Sequence, residues 1–368
     1  MVLELTKRQE TILSLIIREY VNVPTPVGSK ALVDRYQLDV SPATVRNDMA
    51  VLEEAGLIES PHTSAGRIPT QEGYRYFVQR LLGDTVLSPV EERTIRHQFH
   101  QVSLDLEQWM RLAASVLANT TRIASLVTSP RIKEANFKHL ELIQTQGRMV
   151  LLVVVLENGA VRQQMLCLAE PVSQETLSAV AARLNRQFIG RSADRIRAMA
   201  RHAPTLDQEI MNLVADVLDR TGRSHRMVFT DGLVNILDPH YLVNNLQVTD
   251  ERQREDLTRM LAEVDSIGAR QALRLLEEQS LLEEVLSEAL AADTYGVQVM
   301  IAGEGRWEEL SHTSMVLSRY GHGTATGTLG VLGPTRLHYG RAISAVRYVA
   351  GLMTDMLIEI YGEQEPQD

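Results

Sequence analysis

The sequence predicts a multidomain α+β protein whose N-terminal part is a winged helix-turn-helix. Three observations lead to this prediction. Residues 41–70 have the order of a helix, a short strand, a turn and a second strand. Apolar residues recur at helical spacing before that segment and in strand-like runs between residues 138 and 168. At 368 residues, the chain is long enough to form two or three domains with separate cores.

The segment from Ser41 to Thr70 contains a local signal for each of its elements. Ser41 is a favourable N-cap residue, and Pro42 then occupies the first helical position, where an N–H is not needed. Gly56 is placed to end this helix. The apolar residues that are predicted to face inward are Val45, Met49 and Leu52. Residues 57–58 and 67–69 then read as two short strands around a turn at residues 61–66.

Polar side chains on this helix and hairpin suit DNA recognition. Arg can donate two hydrogen bonds to guanine, and Asn can pair with adenine in the major groove. The helix positions predicted to face DNA are Ser41, Thr44, Arg46 and Asn47, and Asp48 also lies off the apolar stripe. The hairpin positions predicted to contact the flanking backbone or minor groove are His62, Thr63, Ser64 and Arg67. Two other readings stay open, because solvated helix faces are also polar and similar hairpins occur in protein–protein modules.

Helices before and after this segment complete the predicted domain. Residues 6–21 form the first helix, with Thr6 as its cap, and residues 27–36 form the second. Thr70 is placed to cap a fourth helix over residues 71–82. This arrangement puts a bihelical unit directly before the DNA-reading helix, as a helix-turn-helix requires.

The charge balance excludes a protein that coats nucleic acid through bulk charge. The net charge is −10, and residues 1–82 carry nine Lys and Arg against ten Asp and Glu. DNA affinity must therefore come from the local placement of arginines. We also expect a homodimer, because a second copy doubles the phosphate contacts and makes binding fall more steeply with salt.

Other classes of function have little support in the sequence. Cys167 is the only cysteine, so the chain cannot form an internal disulfide, and a cytoplasmic location is expected. We expect no membrane association, because the apolar run at residues 149–156 is too short to span a bilayer. The pair His97 and His100 lacks further ligands nearby, and the glycine-rich run at residues 321–330 leads into a strand rather than a helix. We therefore predict no enzyme activity, no metal and no cofactor.

Strands and helices alternate in the rest of the chain. Residues 138–145, 148–156 and 161–168 read as three strands, followed by a helix over residues 174–188. Strands return at residues 296–302, 313–320 and 327–332 after a mostly helical interval. We predict an α+β domain interrupted by an insertion. The expected boundaries are 1–82 for the winged helix, 83–102 for a linker and helix, 103–190 with 269–362 for the interrupted domain, and 191–268 for the insertion.

Three runs of the sequence resemble one known family. They are LTKRQETILSLIIREYV, SPATVRNDMAVLEEAGLIESPHTSAGRIPTQEGYRYFV and GVLGPTRLHYGRAISAVRYVAGLMTDML, the last spanning Gly330–Leu357. All three resemble the heat-inducible transcription repressor HrcA family, and the run PHTSAGRIPTQEGYRYFV is highly specific. The resemblance is weaker between residues 192 and 268.

This resemblance implies a fold and a function beyond the residue patterns. It implies that the interrupted domain is GAF-like and that the insertion serves dimerisation. It also implies a repressor of chaperone operons in the heat-shock response, which binds an inverted-repeat operator of the CIRCE type and is released on heat stress. The implied partners are double-stranded DNA, a second copy of the chain and the GroE chaperonin. The alternative is a transcriptional regulator that senses a small molecule through the GAF-like domain.

Overall fold

The structure is a computed structural model that describes residues 4–61, 66–102, 105–132, 136–157, 159, 161–201, 203–222, 227–238, 243, 251–289, 296–305, 307–322 and 325–361. The chain divides into two compact units. The first consists of Met1–Ser129, Val228–Tyr320 and Thr328–Met353. The second consists of Pro130–Met227, Gly321–Gly327 and Thr354–Asp368.

The first unit begins with the predicted winged helix-turn-helix. Its elements are α1 (Lys7–Asn22), α2 (Ser29–Tyr36), α3 (Pro42–Glu54), β1 (Ile58–Glu59), β2 (Ile68–Pro69) and α4 (Gln71–Tyr76). Strands β1 and β2 are antiparallel, with Ile58 opposite Pro69. The three predicted caps are confirmed, because Thr6, Ser41 and Thr70 each accept a hydrogen bond from a first-turn N–H. Gly56 follows α3 with φ +71°, a conformation that favours glycine at a helix end.

The chain then continues into the core of the first unit. Helix α4 extends as one π-helical turn over Phe77–Leu81. Helices α5 (Pro89–His100) and α6 (Leu106–Thr121) follow, and β3 (Ala124–Thr128) is completely buried. Trp109 and Leu117 on α6 are also buried, so this helix covers part of the core.

The second unit contains a small sheet and three helices. Its elements are β4 (Arg131–Ile132), β5 (Phe137–Gln146), β6 (Met149–Leu156), β7 (Val161–Cys167), α7 (Gln174–Phe188), α8 (Ala193–Ala200) and α9 (Thr205–Gly222). Strands β5, β6 and β7 form a three-stranded antiparallel sheet. One face of this sheet packs with the helices in a single hydrophobic cluster, which includes an edge-on contact between Phe137 and Phe188. Strand β4 pairs with residues 325–326.

The chain returns to the first unit to complete its sheet. The remaining elements are β8 (Val228–Asp231), α10 (Val234–Leu237), α11 (Glu251–Glu277), α12 (Gln279–Ala289), β9 (Val297–Ile301), β10 (Thr313–His322), β11 (Ala325–Pro334) and α13 (Tyr339–Tyr361). Five strands lie in the order β8-β3-β11-β10-β9. Strands β3 and β8 pair antiparallel, with Thr128 opposite Val228. The GAF-like identity of this core stays a prediction.

The domain boundaries differ from those expected from the sequence. Strands 138–168 were expected in the same domain as the C-terminal strands, but they form a sheet of their own. Two segments interrupt the first unit, Pro130–Met227 and Gly321–Gly327, whereas the sequence predicts an insertion at 191–268. Alternation of apolar residues identifies a strand but does not say which sheet it joins, because strand partners are set by contacts distant in sequence.

Helix α11 runs through residue 268, where the sequence predicts a domain boundary. The apolar spacing predicts separate helices over residues 250–264 and 271–290, whereas α11 runs without a break through Gly268. A Cβ atom at this position would lie 2.4 Å from the His312 carbonyl oxygen and 2.9 Å from Cα of Pro334. The glycine therefore permits close packing of a continuous helix and does not end it.

Within the first unit, a buried ion pair joins α11 to the segment that follows β11, and its arginine also contacts the winged helix. Arg336 Nη2 lies 2.6 Å from Asp265 Oδ2, and the two side chains are 12% and 7% exposed. The same guanidinium donates a hydrogen bond to the carbonyl oxygen of Val21 at the end of α1. Two side chains of α4 reach the core backbone: Gln71 donates to Ser311 O at 2.9 Å and Arg75 to Ile301 O at 3.0 Å.

In the part of the chain that the structure describes, no helix is long and apolar enough to cross a membrane.

Replacing Arg336 with Met should destabilise the first unit by about 3 kcal/mol, because Asp265 would stay buried without its partner. Thermal unfolding followed by circular dichroism would measure the loss. The double replacement Arg336→Met/Asp265→Leu should recover much of it, since no unpaired charge remains. A double variant less stable than Arg336→Met would contradict this account of the pair.

Candidate nucleic-acid interface

The outward face of α3 is a continuous exposed stripe. Ala43, Arg46, Asn47 and Ala50 recur at spacings of three and four residues, and all four are exposed. The opposite side of the helix is buried through Val45, Met49 and Leu52. The stripe therefore lies on the surface of the winged helix, where a partner can reach it.

Arg46 and Asn47 keep their hydrogen-bonding groups free for such a partner. Among the described residues, neither side chain forms a hydrogen bond or an ion pair. A guanidinium can donate two hydrogen bonds to guanine. A side-chain amide offers both a donor and an acceptor to adenine.

Two alanines on the stripe were not identified from the sequence. Ala43 and Ala50 lie one helical turn before and after the polar pair, and both are exposed. Their short side chains allow the helix to approach a groove closely, and a methyl group suits contact with thymine. Their spacing from Arg46 predicts that they lie on the same helix face. Alanine has no polar group that would mark it as a recognition residue.

Ser41 and Thr44 bond locally at the start of α3. Ser41 Oγ accepts a hydrogen bond from the Thr44 N–H at 3.2 Å and lies 3.0 Å from Thr44 Oγ1. Ser41 is exposed and Thr44 is half-buried. The two hydroxyls therefore fix the first turn of the helix, and the amide groups of this turn lie at its positive end, which favours phosphate.

Asp48 has a position that the sequence analysis did not predict. It was placed off the apolar stripe with the polar residues, but it is only 5% exposed. Its carboxylate accepts two hydrogen bonds from Arg8, at 2.6 Å from Nε and 3.2 Å from Nη2. This bidentate pair ties α1 to α3 from the inner side. A charged residue near the edge of an apolar stripe gives no sign of a partner forty residues away.

Arg67 lies in the hairpin and is held from two sides. Its backbone N–H and C=O exchange hydrogen bonds with Val27 at 2.9 and 2.8 Å. Its side chain contacts Glu53 Oε2 at 2.8 Å and Ser60 Oγ at 3.2 Å. The guanidinium therefore links the second strand of the hairpin to the last turn of α3.

The structure brings together five of the eight predicted site residues. Four of them lie on or beside α3, and Arg67 lies next to the C-terminal end of that helix through Glu53. The other three, His62, Thr63 and Ser64, lie outside the described residues. The described part of the interface is thus the exposed face of α3 with the base of the hairpin behind it.

Two family models match the chain over most of its length. The model described as winged helix-turn-helix transcription repressor, HrcA DNA-binding, matches residues 4–81. The model described as HrcA protein C terminal domain matches residues 107–343. The residues of the winged helix therefore match a DNA-binding domain.

Full-length relatives give the same result. The chain is 42% identical to the heat-inducible transcription repressor HrcA of Roseiflexus castenholzii, with 98% of this chain and 97% of the relative covered. It is 41% identical to the protein of the same name from Herpetosiphon aurantiacus, with coverage of 99% and 98%. A solved structure of a hypothetical protein has the same fold, with a TM-score of 0.60, 22% identity and coverage of 97% and 100%. The family is one of repressors, not of enzymes, and this chain belongs to it: it is a member of the HrcA family of heat-inducible transcription repressors.

Proposed function

We propose that this chain represses chaperone operons by binding an inverted-repeat operator of the CIRCE type as a homodimer. The observation that carries the proposal is the exposed face of α3, where Arg46 and Asn47 have no partner among the described residues. Each winged helix would read one half-site. A two-fold symmetric protein then requires half-sites separated by a near-integral number of turns, each of about 10 base pairs.

Arg46 and Asn47 have the chemistry to read bases, and Ser41 and Thr44 are placed to meet phosphate at the start of α3. Base contacts give sequence preference, whereas phosphate contacts fix position and register without it. The proposal therefore assigns preference to the middle of α3 and positioning to its first turn and to the hairpin, including His62, Thr63 and Ser64.

An open apolar sheet face in the second unit supports the proposed homodimer. On β6, alternate residues are buried, and those between them are half-buried on the other face of the sheet. Leu151 on this open face lies opposite Ile143 and Met165 on the neighbouring strands. Ile143 is 44% exposed and Met165 is 48% exposed. We propose that a second copy covers this face. The dimer contact would then lie on residues 137–167 rather than on 191–268.

The regulation that we propose follows the family resemblance. GroE chaperonin would favour the active repressor, and heat would divert chaperonin to unfolded proteins. The repressor would then lose its active form and leave the operator. In this scheme, temperature acts on DNA binding through the supply of chaperonin.

A cleft in the first unit favours a ligand-responsive regulator as the second candidate. It has a volume of about 460 Å³ and lies between the winged helix and the core, with Tyr20, Glu59, Asp265, His312 and Arg336 in its lining. A metabolite bound there could alter the position of the DNA-binding helices. A thermal-shift screen that found a specific stabilising metabolite would support this candidate over the chaperonin scheme.

Purified protein should prefer an inverted-repeat duplex to a scrambled duplex of equal length, with a larger preference when chaperonin is present. Arg46→Ala should weaken binding to the repeat by roughly 1–3 kcal/mol and relax the base preference at one position per half-site. Fluorescence anisotropy with single-base variants of the repeat would measure both effects. Equal binding of the wild type to both duplexes under all conditions would reject the repressor function.

Arg67 should act on the DNA backbone in competition with Glu53. Arg67→Gln should weaken binding to all sequences alike and flatten the salt dependence, because a phosphate contact is lost. Glu53→Gln should strengthen binding, because it frees the guanidinium and removes a negative charge. If both variants weaken binding equally, Arg67 instead holds the hairpin against α3.

Leu151→Lys should convert the dimer to a monomer, because it places a charge in the apolar face that the second copy would bury. Sedimentation equilibrium would measure the mass. Binding to the full repeat should fall, whereas binding to a single half-site should not change. Gln208→Lys, at an exposed position on α9, is the matched control for added charge. A Leu151→Lys protein that stays dimeric would rule out this face.

A further inference from the structure

The outward face of α5 is a stripe of nitrogen-bearing side chains. Arg93, Arg96, His97 and His100 recur at spacings of three and four residues, and all four are exposed. We call this set the α5 stripe. The opposite face of α5 is apolar, with Ile95 and Phe99 buried. The two histidines, which the sequence offers only as a possible metal pair, therefore lie on one exposed face with the two arginines.

Contacts on the inner side hold α5 in place. The hydroxyl of Tyr348 on α13 donates to the Glu92 carbonyl oxygen at 2.9 Å, and Arg341 of the same helix pairs with Glu91 at 2.7 Å. Hydrogen bonds from Ser88, followed by the charge of Arg341, lower the pKa of Glu91. Glu91 is therefore an anion that is already bonded to Ser88 and Arg341. These contacts hold α5 with the stripe facing outward.

The two arginines of the stripe are not paired with any carboxylate of the residues that the structure describes. Arg93 donates only to the Pro89 carbonyl oxygen, at 3.1 Å. Neither Arg93 nor Arg96 forms an ion pair with any residue that the structure describes. The winged helix is different, because several of its arginines are paired with carboxylates. Those arginines are Arg8, Arg35, Arg67 and Arg75.

This contrast matters for a DNA-binding protein of net charge −10. Affinity for duplex DNA comes mainly from cations that replace the counterions of phosphates. In the winged helix, acidic side chains outnumber basic ones, and internal ion pairs engage several of the basic side chains. Helix α5 presents two exposed arginines that form no ion pair with any described residue.

We propose that the α5 stripe binds the phosphate backbone of duplex DNA. The inference rests on the proposed DNA-binding function and adds a second contact surface to it. From Arg93 to His100 the helix rises about 10 Å, and phosphates of one strand advance about 3.4 Å each, so the stripe can serve about three phosphates. The contacts are to phosphate alone, so they act on every DNA sequence.

The double variant Arg93→Gln/Arg96→Gln tests this surface. Its affinity for duplex DNA should fall on the order of tenfold at low salt, and the salt slope should shrink by about 1.8 per chain, or 0.9 for each lost phosphate contact. Anisotropy titrations at several salt concentrations would measure both values. The loss should be equal on the repeat and on the scrambled duplex.

Two controls separate charge placement from other effects. Arg195→Gln/Arg270→Gln removes the same charge from exposed positions on α8 and α11 and should leave the slope unchanged. Arg93→Lys/Arg96→Lys keeps the charge and should retain most of the slope, whereas a folding defect would not follow charge in this way. Circular dichroism would verify that each variant is folded.

An unchanged salt slope in the Gln double variant would overturn the proposal. An unchanged slope together with lost binding to a polyglutamate peptide would instead assign the stripe to an acidic protein partner. Failure of the proposed repressor function gives a different result, because the wild type would then bind the repeat and the scrambled duplex equally. The effect of the stripe would still be measurable on either duplex.

Discussion

The position of the DNA-binding helices depends on one buried guanidinium. Arg336 satisfies the carboxylate of Asp265 and also caps the C-terminal end of α1 at Val21, where the helix dipole favours a cation. Burying such a pair carries a desolvation cost that its attraction largely offsets, so its main effect is on geometry. The guanidinium holds the end of α1 beside α11. Helix α3 packs against α1 in the winged helix, so its position is fixed as well.

Polar side chains of the winged helix divide into those that form internal ion pairs and those that face outward. The pair of Arg8 with Asp48 lies on the inner side of α3, and Arg67 with Glu53 secures its end. These ion pairs make the helix a rigid support. Arg46 and Asn47 on the outer side form no hydrogen bond with any described residue, so their donors are available to a partner. Rigid support for free donors is what precise base recognition requires.

Local signals predicted local structure well, and tertiary partners limited the rest. Thr6, Ser41 and Thr70 were predicted as caps because a cap depends only on the next three residues. The burial of Asp48 could not be predicted, since its partner is on another helix. Gly268 lies inside a continuous helix, where the absence of a side chain permits close packing. On the candidate site, the polar face of α3 was predictable, whereas the roles of small residues and of internal ion pairs were not.

The pairing of Thr128 with Val228 has a consequence for how the chain folds. Strands β3 and β8 are antiparallel neighbours separated in sequence by residues 130–227, which form the largest part of the second unit. Closing a long unstructured loop costs more entropy than closing a short one, and distant strand pairings slow folding. If residues 130–227 collapse first, the loop between β3 and β8 becomes compact. The entropy cost of pairing the two strands is then smaller. The order of events during synthesis favours this route, because residues 130–227 leave the ribosome before β8 and the later strands that complete the central sheet.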